Sequence, residues 1–86
     1  MKYRSRTEIT AQILKAAVGG SASKTNIAYK AFLSYQQLKE YLALLSENGL
    51  LDYDQGTNTY RTTEKGARFL KIYERLDETW HTRSQD

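Results

Sequence analysis

Between Ser34 and Lys39 the chain gathers a hydroxyl, a phenol, two carboxamides and an ammonium, on Ser34, Tyr35, Gln36, Gln37 and Lys39. None is a nucleophile set beside a base; all are hydrogen-bonding groups. A carboxamide presents a donor and an acceptor side by side, which matches the edge of adenine, and an ammonium reaches guanine or a phosphate. Gln36, Gln37 and Lys39 are therefore the candidates for reading base edges, the bland alternative being a solvated helix face. Lys24, Thr25, Lys30, Ser34, Tyr35 and Arg61 are cations and hydroxyls of the kind that hold a phosphate backbone, or else ordinary surface groups. A denser cluster, Lys2, Arg4 and Arg6, fits an arm laid along phosphates or into a minor groove, and equally a solubilising tail.

Other chemistries lack their parts. With no cysteine and one histidine, His81, there is no disulfide framework, thiolate metal site or imidazole cluster, and neither metal nor cofactor is expected. Gly19-Gly20 lacks the Lys-Ser/Thr that completes a phosphate loop, and no nucleophile and base share a core, so the chain reads as a non-enzyme. A net charge of +3 and a pI near 9.2 suit an anionic partner but also many small soluble domains. The chain is too apolar, at 40% hydrophobic residues, for disorder, and it has no apolar run of membrane-spanning length. No apolar segment follows the basic start as in a signal peptide, which places the expectation in the cytoplasm.

The elements that must position these groups are legible from caps and periodicity. Ser5 with Glu8 forms a capping box, and Ile9, Ile13, Leu14 and Ala17 follow at helical spacing until Gly19-Gly20, predicting a helix over 6–18. Ser23 opens a short helix over 24–31. After the apolar link Phe32-Leu33, Ser34 and Gln37 form a second capping box for a helix over 35–48, with Leu38, Leu42 and Leu45 inward and Gly49 as its stop. Two helices joined by so short a turn make a helix-turn-helix. Beyond Gly49 the period becomes two: 51–54 and 59–62 read as strands of a hairpin around Gln55-Gly56-Thr57-Asn58. Thr63 caps a last helix over 64–82.

On that helix Phe69, Tyr73, Leu76 and Trp80 recur at the spacing of a coiled-coil seam. At about 28 Å it is as long as the body, so Leu76 and Trp80 project past it and a second copy is the expected cover, while Phe69 and Ile72 can pack on the first helix. Of the seven tyrosines, Tyr29, Tyr41, Tyr53, Tyr60 and Tyr73 fall on faces that call for packing. Stacking of tyrosines on single-stranded bases is set aside on that ground, Tyr35 excepted.

The order helix, helix, helix, hairpin, helix is that of a winged helix-turn-helix. The stretches Leu42-Ala43-Leu44-Leu45-Ser46-Glu47-Asn48-Gly49-Leu50-Leu51 and Tyr60-Arg61-Thr62-Thr63-Glu64-Lys65-Gly66-Ala67-Arg68-Phe69-Leu70 resemble its recognition-helix end and its wing exit. Over about 4–80 the chain is similar to the small archaeal winged-helix regulators and chromatin-like proteins of the ten-kilodalton Sulfolobus DNA-binding type. The resemblance implies an α+β, mainly α fold: a basic tail over 1–5, a winged-helix body over 6–63, a C-terminal dimerisation helix over 64–82 and a disordered tail over 83–86. It also implies double-stranded DNA as partner, a homodimer, and a regulatory or architectural role. Asp52 and Asp54, with Arg61 as the nearby cation, weaken the case for a wing on phosphates. The rival reading is a winged-helix protein-interaction module.

Overall fold

In a computed structural model the backbone is described for residues 4–84 and the side chains for 4–76. The order is α1 (Arg6–Ala17), α2 (Lys24–Ala31), α3 (Tyr35–Glu47), β1 (Leu51–Asp54), β2 (Thr59–Thr62) and α4 (Glu64–Ser84). Expected boundaries hold to within two residues, the ordinary uncertainty of frayed ends. The hydroxyls of Ser5, Ser23 and Ser34 each accept from the backbone N–H three residues on, satisfying a donor that has no partner inside the helix.

The core lies where α1, α2 and α3 converge. Ile13, Leu14, Ile27 and Leu38 are its largest fully buried side chains, each contributing about 2 kcal/mol by leaving water. Leu42, Leu45, Leu51, Tyr60 and Leu70 extend it toward the hairpin and α4.

β1 and β2 pair antiparallel with Tyr53 opposite Tyr60, whose rings stand 4.8 Å apart at a 44° tilt. A further rung was not expected: Ala22 and Tyr60 exchange backbone hydrogen bonds of 3.2 and 2.8 Å, placing the chain between α1 and α2 along the second edge of β2. The Thr62 hydroxyl donates to the Leu14 carbonyl at 2.7 Å and anchors the same strand on α1.

The junction of α3, the hairpin and α4 is tied by backbone partners. Gly49, at φ +76°, turns the chain out of α3, and Leu50 N–H bonds Leu45 O. The carbonyls left over there are taken from α4's side: Lys65 Nζ donates to Asn48 O at 2.7 Å, Thr63 Oγ1 to Gly49 O at 2.6 Å, and Thr63 N–H to Leu50 O at 3.1 Å. Gly66 is required at this point. A Cβ there would sit 2.4 Å from the Leu50 oxygen and 2.8 Å from Thr62 Cγ2.

That close approach sets the rotation of α4. Gly66, Leu70 and Tyr73 turn toward the body, and Phe69 is half-buried beside them. Ile72 falls on the other side, 61% exposed, so the expectation that it packs on the first helix is corrected; Leu76 is 58% exposed as expected. Phe69 and Tyr73, expected at an intermolecular seam, are partly engaged by their own core. The side chain of Trp80, the Lys2 end of the basic arm and residues 85–86 lie outside the described residues; at 83–84 the expectation of a disordered tail is corrected, because α4 runs to Ser84.

Candidate nucleic-acid interface

The two capped helices α2 and α3 meet at Phe32-Leu33. Leu33 points into the core, while Phe32 closes α2 in the left-handed conformation, φ +54° and ψ +53°, and is 80% exposed. Left-handed backbone costs a side-chain-bearing residue about 1–2 kcal/mol, and glycine takes it without strain. Arg4 holds the turn from below: its guanidinium donates to Phe32 O at 2.9 Å and also to Ala31 O and Gln12 Oε1. A cation on the last carbonyls of a helix complements its dipole. The expectation of Arg4 as part of a loose arm is thereby corrected, because three of its N–H groups are bonded to the body; Arg6 is exposed in the first turn of α1.

Beyond the turn, Tyr35, Gln36, Gln37 and Lys39 are all exposed at the N-terminal half of α3, opposite buried Leu38. Their roles separate. Gln37 Oε1 accepts from Ser34 N–H at 3.2 Å and lies 3.3 Å from its hydroxyl, completing the capping box. With its acceptor engaged, Gln37 in this conformation does not offer the paired donor and acceptor that adenine requires, whereas Gln36 makes no such local bond. Lys39 Nζ stands 5.6 Å from the Tyr35 ring centroid, a cation–π distance. Farther along, Glu40 and Glu47 make the second half of α3 less suited to a polyanion.

Lys24, Thr25 and Lys30 are exposed on α2, with Lys24 and Thr25 in its first turn, where the helix dipole adds positive potential. Charge along the chain reinforces the pattern: from Ile9 to Lys39 there are four lysines and no Asp or Glu. The hairpin differs. Arg61 lies across Gly20 and pairs with Asp52 at 3.5 Å, and Asp54 accepts from Gly56 N–H at the turn, so the wing presents carboxylates with its cation partly neutralised.

Two exposed groups escaped the sequence reading. Tyr29, assigned to the core by periodicity, is 79% exposed, one turn before Phe32 on α2; Tyr53 is 43% exposed although its ring meets Tyr60. For Phe32, read from the sequence only as part of an apolar link, the available signal was local: a residue that ends a helix in a short turn tends to adopt left-handed backbone, which swings its side chain away from the inward Leu33.

A winged helix-turn-helix family model matches residues 3–81. The fold is similar to the crystal structure of Sso10a-2, a DNA-binding protein from Sulfolobus solfataricus, with a TM-score of 0.69, 26% identity and 95% of each chain covered. No curated protein matches the sequence.

Proposed function

Because the chain belongs to the winged helix-turn-helix family, we propose that it binds double-stranded DNA with the N-terminal half of α3 in the major groove, and that two copies act together as a transcriptional regulator. The observation that carries this reading is the character of α3's outward face: Tyr35, Gln36 and Lys39 stand exposed where the helix begins, within a segment free of carboxylates. A major groove admits one helix, and Gln36 and Lys39 have the side chains to meet base edges there. Lys24, Thr25 and Lys30 supply phosphate contacts that set register without reading sequence. The described relative, itself a DNA-binding protein, supports the same partner.

Pairing rests on α4, whose Ile72 and Leu76 face solvent one turn apart and which also carries Trp80. An identical patch on a second copy buries both, and a two-fold pair brings two recognition helices to one duplex. If the copies are spaced by one helical turn of DNA, a palindromic site is favoured. A wider spacing bridges or bends DNA with little sequence preference.

The test is fluorescence anisotropy of the purified chain with duplex DNA at two salt concentrations, wild type beside Lys39→Ala and Gln36→Ala. We expect affinity to fall steeply with salt and Lys39→Ala to reduce the logarithmic salt slope by about one if that lysine meets a phosphate. Absence of binding at low salt would leave the protein-interaction reading. Sedimentation of Leu76→Ser should show loss of the dimer at concentrations where wild type is paired.

A further inference from the structure

The turn between α2 and α3 carries more aromatic surface than a duplex-reading helix requires. Tyr29 is 79% exposed, Phe32 80% and Tyr35 63%, three rings in seven consecutive positions. Phe32 is unfavourable twice over, presenting an apolar ring to water from a left-handed backbone. Local strain and exposure that work against stability are the mark of a surface used for binding. The occupant is constrained by charge. Lys30 follows Tyr29 in the chain, Lys39 Nζ stands 5.6 Å from the Tyr35 ring centroid, and no carboxylate occurs between Ile9 and Lys39, so the stretch that carries the rings is cationic. Aromatic faces interleaved with lysines suit a chain that is anionic along its backbone and aromatic along its side groups, which describes unpaired nucleotides. In a duplex the base faces are already stacked on one another and only their edges are offered.

We propose that Tyr29, Phe32 and Tyr35 form a stacking platform for unpaired bases, through which the protein binds single-stranded DNA as an activity additional to duplex binding. Arg4, bonded to the Ala31 and Phe32 carbonyls, fixes the backbone from which the Phe32 ring projects.

The experiment compares three labelled probes by fluorescence anisotropy with the full chain: an oligothymidylate of about 16 nucleotides, an abasic deoxyribose-phosphate oligomer of the same length, and a duplex. The variant is Phe32→Gly combined with Tyr29→Ser. Glycine relieves the left-handed position and position 29 is exposed, so the fold is expected to survive, and circular dichroism verifies it. The expected result is tight binding of oligothymidylate over the abasic oligomer, and a loss of about tenfold or more on oligothymidylate in the variant, against less than about threefold on the duplex. Equal binding of the abasic oligomer and oligothymidylate would overturn the proposal, since charge alone would then suffice. An unchanged variant overturns it too, as does an equal loss on single strand and duplex, which would assign the rings to the duplex site. A wild type that binds only duplex sinks the platform and leaves the regulator reading standing; one that binds only single strand does the reverse.

Discussion

Two turns of this molecule, each following a helix and each containing a left-handed residue, are built on opposite terms. At the end of α3 the left-handed residue is Gly49, the free carbonyls of 48–50 are all bonded from α4's side, and Gly66 lets the backbones close. At the end of α2 the left-handed residue is Phe32, whose ring is exposed to water, with exposed tyrosines three positions before and after it in the chain. The first junction holds the fold together. The second gives up stability to present side chains, and the cationic segment around it indicates which kind of partner those side chains meet.

Substitutions can sharpen or break that contrast. The largest effect should come from Gly66→Ala: with a methyl forced against Leu50 O, we expect destabilisation of about 3 kcal/mol or more, a drop in Tm well above 10 °C for a domain this size. A near-normal melting temperature would show that α4 can shift at no cost and would remove the argument for its rotation. Next, Thr63→Ala deletes both the bond to Gly49 O and the one accepted from Gly66 N–H at 3.0 Å, for about 1–2 kcal/mol in urea unfolding. In the other turn the sign should reverse. Phe32→Gly alone is expected to stabilise by about 1 kcal/mol, or a few degrees, because relief of left-handed strain exceeds glycine's added unfolded-state entropy. Destabilisation instead would mean that the Phe32 ring packs on the body. Smallest of all, Glu74→Gln breaks the exposed 3.8 Å pair with Lys15 between α4 and α1, and thermal unfolding should move by under about 0.5 kcal/mol.

The same division explains what could be read without coordinates. Ser5, Ser23, Ser34 and Gly49 punctuate helices through bonds to neighbours a few residues away, so their meaning is local and the elements they bound were legible. The rung between Ala22 and Tyr60 joins two residues far apart in the chain and leaves no periodicity to detect. The facing of α4 was misjudged at Ile72 because an apolar residue three positions after Phe69 reads as part of the same inward stripe, while the actual rotation follows from a residue with no side chain, Gly66. In the candidate interface the exposed set was readable from its place opposite buried apolar residues, Gln36 and Lys39 opposite Leu38 on α3 and Lys24, Thr25 and Lys30 opposite Ile27 and Ala31 on α2. The engagement of Gln37 in its own cap competes with its use on a base, Arg4's docking depends on the α2 terminus coming within reach, and Tyr29 looked buried because helical spacing alone does not show on which side a two-turn helix meets the core.

The asymmetry of the small sheet bears on how these molecules coexist at high concentration. β2 is bonded on both sides, by β1 and by Ala22, which leaves β1 as the free edge. An unpaired strand edge is a template on which another chain can add, the first step toward fibrous aggregation. Here the template is four residues long and two of them are Asp52 and Asp54, so a second edge laid against it would bring four carboxylates together. The carboxylates that line the hairpin thus oppose the growth of one copy's sheet onto another's.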